Sequence, residues 1–129
     1  MIRDGSDVAI LSLGVMCEQA LLAADELEKN GIHARVIDVR CVKPCDISTW
    51  KELLSGISDV VTIEDGLAQA GFGSYLLSLL EEEGEMSHIR HYQSLGVSDH
   101  PLTAGNRALL MEKEKMDDKA IVETILSWY

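Results

Sequence analysis

Residues 7–13, Asp-Val-Ala-Ile-Leu-Ser-Leu, form a nearly unbroken apolar run that is closed by Gly14. The run is too short for a membrane span or a long helix. Its continuity means burial on both faces, as in an interior strand of a parallel sheet. The period then changes. Met16, Ala20, Leu21, Ala23, Ala24 and Leu27 recur every three to four residues, which predicts an amphipathic helix over Met16 to Asn30 with a stop at Asn30-Gly31.

The same switch of period repeats down the chain. Ile32 to Val39 alternates as a second strand, and Val42-Lys43-Pro44 follows as a turn. Asp46 is placed to cap a helix over Ile47 to Leu54, with Trp50, Leu53 and Leu54 on one face. Asp59 to Ile63 is a short β-branched strand that runs into Glu64-Asp65-Gly66. After Gly71-Phe72-Gly73, Ser74 is expected to cap a helix that continues to about Glu81. Ser87 to Tyr92 reads as a weaker fourth strand near an edge, with His88 and His91 on opposite faces. Residues 98–105 form a loop, and Arg107 to Lys115 a short helix. Asp117 caps a last helix over Lys119 to Trp128, with Ile121, Val122, Ile125 and Leu126 inward.

Strands that alternate with helices imply an α/β fold with three layers, α/β/α, around a mostly parallel sheet, in one domain over residues 1–129. Right-handed crossovers place the 32–39 strand on one side of the 7–13 strand and the 59–63 strand on the other. The winding reverses between strands 7–13 and 59–63, so a crevice opens at their carboxyl ends, where such sheets bind ligands. Gly14 and Glu64-Asp65-Gly66 line it.

The crevice lacks the chemistry of a phosphate site. Gly66 and Gly71 have the spacing that opens a Walker loop, but Phe72 stands where the lysine is needed, and Glu64 and Asp65 repel anions. As neighbours at a strand end, Glu64 and Asp65 point to opposite sides and are poorly placed to share one substrate as an acid–base pair, which favours a structural role over catalysis. One carboxylate is expected to accept backbone N–H bonds from the glycine loop, and the other to face solvent or a partner. His33, His88, His91 and His100 offer no convergent metal set, and no nucleophile has a partner base. Cys41 and Cys45 bracket Val-Lys-Pro at a spacing that fits neither a redox motif nor a zinc knuckle, and with Cys17 they make an odd count. A formal net charge of −11 disfavours nucleic acid and anionic membrane as partners. The N-terminal stretch lacks the apolar core of a signal peptide, so a cytoplasmic location is expected. An independent enzyme that uses Cys17 or Glu64 at the crevice is the weakest of the functional readings.

Four stretches carry a family resemblance. Ser6 to Gly14, Asp38 to Asp46, Val61 to Gly66 and Gly71 to Ser74 resemble, in order and spacing, the transketolase C-terminal domain family. The 1-deoxy-D-xylulose-5-phosphate synthases are the most similar branch. Transketolases and 2-oxo acid dehydrogenase beta subunits stand further away. The resemblance implies a mixed five-stranded sheet with one antiparallel edge strand, of which Met1-Ile2-Arg3 is the remnant. It also implies that thiamine diphosphate and magnesium sit on other domains, with no cofactor and no catalytic residue on this chain. The expected role is packing on those cofactor-binding domains and completing a homodimer. A stand-alone interaction module is the alternative. By matching motif, Arg40, Lys43, Pro44 and Asp46 shape the turn after the second parallel strand. Glu64, Asp65, Gly66, Gly71 and Gly73 form a loop that faces neighbouring domains. In the last segment, where the synthase branch carries Glu-His-Gly, this chain departs from the pattern and reads Asp99-His-Pro-Leu-Thr-Ala-Gly105, with His100 and Gly105 as the only echoes.

Overall fold

A computed structural model describes residues 1–40, 42, 46–97 and 107–129 of the chain. Lys43, Pro44, Cys41, Cys45 and the 98–105 loop with His100 lie outside the described residues. The strands are β1 (Val8–Leu13), β2 (Ala34–Val39), β3 (Asp59–Leu67) and β4 (His91–Val97). The α-helices are α1 (Cys17–Lys29), α2 (Ile47–Leu53), α3 (Phe72–Glu82), α4 (Arg107–Lys113) and α5 (Asp118–Leu126). Single 3₁₀ turns cover Gly14–Met16 and Glu85–His88.

The sheet order is β2-β1-β3-β4, and every pair of neighbours is parallel. Strand β1 is central, as its continuous apolar run requires, and its alternate residues feed opposite layers. Val8 and Ile10 pack with α1 and α5, against Ala20, Ala24, Leu27, Ile121 and Ile125. Ala9 and Leu11 pack with α2 and α3, against Trp50, Phe72, Leu76 and Leu80. The two cores are the two faces of one sheet, which gives the three layers. Each large side chain fully buried in this way contributes roughly 1.5–3 kcal/mol relative to exposure.

The sheet has four strands among the described residues rather than five. The expected antiparallel edge strand is reduced to one bridge, Arg3 to Val36, beside β2. Gly5 allows the close approach, because a Cβ there would lie 2.3 Å from the Ala34 carbonyl carbon. Arg3 then ties the segment to α1 by bonds to Asp25 at 2.5 Å and Glu28 at 2.7 Å.

The fourth strand also sits later than the alternation of residues 87–92 suggested. Residues Glu85–His88 turn as a 3₁₀ helix, and the strand begins at His91. His88 and His91 therefore do not share a strand. Gly96 obscured the true strand, because glycine weakens strand propensity. It is needed there: a Cβ on Gly96 would stand 2.6 Å from the Gly66 carbonyl oxygen. Leu126 is 37% exposed and does not join the core that its neighbour Ile125 enters. No helix among the described residues is long and apolar enough to cross a membrane.

Candidate functional site

Parallel pairing sets Leu13 of β1 opposite Glu64 of β3 at the carboxyl end of the sheet. Gly14 follows immediately, with a φ of +66°, a left-handed turn that favours glycine. The chain reverses its winding here, and a recess of about 450 Å³ opens at this rim. Leu13, Val42, Ala70, Phe72 and Tyr75 line it beside Glu64. Val15 and Leu67 are large apolar side chains left exposed on the residues that follow Gly14 and Gly66.

Glu64 is the centre of the site. It is 3% exposed, and both of its oxygens are engaged. Oε1 accepts from the Phe72 backbone N–H at 3.0 Å, and Oε2 accepts from the Gly73 N–H at 2.9 Å. These are the first two residues of α3, so the carboxylate caps the helix and meets the positive end of its dipole. Among the described residues no lysine, arginine or histidine pairs with Glu64. The expected bonds between one carboxylate and the glycine loop are present. Asp65 is exposed.

The expected cap at Ser74 is replaced by this long-range one. Helix α3 begins three residues earlier than a Ser74 cap implies, with Gly71 as the residue before it. Ser74 instead lies inside the helix and donates its hydroxyl to the Ala68 carbonyl at 2.8 Å. A helix can start without a local capping side chain when a carboxylate from the sheet reaches its first N–H groups.

Two glycines, Gly71 and Gly73, make room for this arrangement, while Gly66 has space for a Cβ. A Cβ on Gly71 would lie 1.5 Å from Glu64 Oε1, and one on Gly66 would lie 3.4 Å from the same atom. A Cβ on Gly73 would lie 2.2 Å from Thr62 Oγ1 and 2.3 Å from Ser94 Oγ. Tyr92 of β4 completes the grip on α3 by donating its hydroxyl to the Gly73 carbonyl at 2.7 Å. Burial and the nearby Glu64 charge both raise the Tyr92 hydroxyl well above its ordinary value. The Thr62 hydroxyl is buried against the same helical turn with no hydrogen-bond partner among the described residues.

The structure thus brings Glu64, Gly66, Gly71 and Gly73 together, next to Gly14. Two other residues from the turn stay local. Arg40 is exposed and pairs with Asp38 at 3.0 Å. Asp46 caps α2 by accepting from the Ser48 N–H at 3.0 Å, and the Ser48 bonds hold its carboxyl below the usual range. Thr62, Tyr92 and Ser94 were not singled out by sequence reasoning. Thr62 carries a signal, as a polar residue in the apolar part of β3, whereas Tyr92 and Ser94 lie in a strand that also holds His91 and Gln93 and do not stand out.

A second buried carboxylate stands at the opposite end of β3. Asp59 is fully buried and accepts from Arg90 Nε at 3.1 Å, Arg90 Nη2 at 2.5 Å and the Tyr129 hydroxyl at 2.9 Å. His91 Nδ1 lies 2.9 Å away, and its ring stacks on Trp128 with centroids 5.0 Å apart. Burial pushes the Asp59 carboxyl up, but the bonds from Arg90, Tyr129 and His91 outweigh it and leave the group below the usual range. No group of three or more metal-ligating side chains converges among the described residues.

Fold and site together define a doubly wound α/β domain whose switch-point carboxylate is taken up by its own backbone. Residues 1–121 match the family described as "Transketolase, C-terminal domain", and the chain belongs to that family. It is 34% identical over 125 residues to a 1-deoxy-D-xylulose-5-phosphate synthase of Bacillus licheniformis, covering 97% of this chain and 19% of the relative. It is 38% identical over 112 residues to the enzyme of that name from Heliobacterium modesticaldum, covering 87% of this chain and 17% of the relative. The chain spans about a fifth of the length of the curated relatives it matches. Among solved structures, a chain titled "Split gene transketolase, inactive beta4 tetramer" is similar at a TM-score of 0.81 and 33% identity, over 97% of this chain and 39% of that one. The transketolase of Campylobacter jejuni shares the fold at a TM-score of 0.67 and 20% identity, over 96% of this chain and 17% of that one.

Proposed function

We propose that this chain serves as the C-terminal domain or subunit of a thiamine-diphosphate-dependent transferase of the 1-deoxy-D-xylulose-5-phosphate synthase type. In that reaction pyruvate is decarboxylated and its two-carbon unit is joined to glyceraldehyde 3-phosphate, at the head of isoprenoid precursor synthesis. Thiamine diphosphate and magnesium are held by other domains of the parent enzyme. The chain's own work is to pack on those domains and to complete a homodimer. The rim at the carboxyl end of the sheet, with Gly14, Arg40, Asp46 and residues 64–73, which run from the last part of β3 into the first turn of α3, is the docking face.

The observation that carries this reading is the state of the switch point. Its one buried carboxylate is spent on backbone N–H groups, and the recess beside it is walled by apolar side chains. Such a rim suits contact with another protein surface better than capture of a small polar substrate. The match to synthase relatives several times longer supports the same role. A separately encoded subunit, rather than a piece of one chain, is supported by the similarity to the chain titled as a split-gene transketolase.

The test is reconstitution. The chain alone, given pyruvate, glyceraldehyde 3-phosphate, thiamine diphosphate and magnesium, should release no carbon dioxide and bind no cofactor by calorimetry. Mixed with the cofactor-binding domains from the same genome, it should co-migrate with them and restore turnover. Turnover by the isolated chain would defeat the proposal, and so would failure to associate.

A further inference from the structure

We propose that Glu64 is the resident anion of the switch point. From inside the chain, its carboxylate fills the place at the amino end of α3 where sheets of this kind receive a phosphate. In doing so it fixes the course of residues 65–71 and keeps free phosphate out.

The geometry is that of a bound oxyanion. Two oxygens of one group each take one of two consecutive backbone N–H groups, Phe72 and Gly73, at 3.0 and 2.9 Å. A buried carboxylate is costly unless it is paired or hydrogen-bonded. Among the described residues no cation offsets this one, so the helix end supplies the compensation.

The glycines carry the inference further. A loop that cradles an external phosphate needs glycine where the ligand approaches the backbone. Here Gly71 is empty toward Glu64 instead: a Cβ would lie 1.5 Å from Oε1 and 2.4 Å from Cδ. The Gly66 and Gly71 spacing that imitates a phosphate loop is therefore explained by an internal ligand. Phe72 at the lysine position fits the same logic, since the loop offers an external phosphate no cation. Thr62 is the independent sign of a polar site at this turn. Its hydroxyl is fully buried and sits against the Gly73 position. This assignment is independent of the assembly role, because it is read on the chain by itself.

The test follows amide hydrogen exchange at Phe72 and Gly73 by NMR, with sodium acetate and sodium phosphate as probes. In the wild-type chain both amides should be protected and neither probe should move them. In Glu64→Ala both should exchange about tenfold faster or more, the loss of one hydrogen bond each. Acetate should restore much of that protection, and sodium chloride at equal ionic strength should not. Glu64→Gln keeps the shape and so guards against a variant that fails to fold. Its amide presents one acceptor and one donor, so one of the two N–H groups should lose protection while the other keeps it. Unchanged protection of both amides in either variant overturns the proposal. So does acetate that fails to rescue a folded Glu64→Ala, acetate that acts no better than chloride, or phosphate that shifts either amide in the wild type.

Discussion

Strand β3 carries two buried carboxylates, Asp59 at its first residue and Glu64 where its pairing with β1 ends, and the two are satisfied by opposite means. Asp59 at the amino end collects side chains: Arg90 and His91 from the start of β4, and Tyr129 beyond α5. Glu64 at the carboxyl end collects only backbone N–H groups from the first turn of α3. The first arrangement is a clasp that ties distant parts of the chain together. The second is a scaffold for a loop. A clasp depends on what its partners carry, whereas a scaffold of backbone bonds depends on what its neighbours lack. The rim is thus specified by glycines and the base by side chains.

This contrast is broken most severely at Gly71. Gly71→Ala places a methyl group on the Glu64 oxygen, so the carboxylate must leave both N–H partners or α3 must shift. The expected loss is about 3 kcal/mol, from overpacking together with a displaced charge-assisted cap. Urea unfolding monitored by circular dichroism checks it. A double variant, Gly71→Ala with Glu64→Ala, should recover part of that loss, because the clash partner is gone. No recovery would show that Gly71 serves something other than the carboxylate.

Asp59→Asn breaks the other end, with an expected loss of about 2 kcal/mol, since hydrogen bonds to a charged group are weakened and not all removed. The pH dependence follows from the lowered Asp59 carboxyl. A carboxyl whose folded value lies below its unfolded value contributes stability that is fully present above the unfolded value, about 3.9. That contribution is lost as the pH falls through the folded value. Wild-type stability should therefore decline below about pH 4 with a steeper slope than that of Asp59→Asn. Parallel slopes for the two proteins would mean that Asp59 is not held low.

The same contrast explains what the amino-acid sequence reveals and what it hides. Local signals were legible. Asp46 and Asp117 cap α2 and α5 as their positions predict, and the unbroken run Val8–Leu13 is the central strand. That one of the Glu64 and Asp65 carboxylates bonds the glycine loop was also legible, because the loop is only eight residues away, but which of the two does so was not. The start of α3 was not, because its cap comes from a different strand and leaves no trace at Ser74. The Asp59 clasp was invisible for a stronger reason. Its partners lie 31, 32 and 70 residues away, and no periodicity of a single segment encodes such a contact. The position of β4 was masked by Gly96, whose reason for being glycine is the Gly66 backbone across the sheet.

The smallest test pairs two tyrosines, one at each end. Tyr92→Phe removes the donor to the buried Gly73 carbonyl and leaves that acceptor without its partner. The expected cost is about 1–2 kcal/mol. Tyr129→Phe removes the donor to Asp59 and to the Asp7 carbonyl, but the residue is 57% exposed and water can replace the hydroxyl. The expected cost there is below about 1 kcal/mol. Burial and the Asp59 charge push the Tyr129 hydroxyl up to about 12, so it stays a donor through the neutral range and the comparison can be made at pH 7. Denaturant midpoints of the two variants then rank the ends of β3 directly. If Tyr129→Phe proves the more costly, the clasp at Asp59 is shielded from solvent in solution and is a stronger restraint on the fold than the grip on α3.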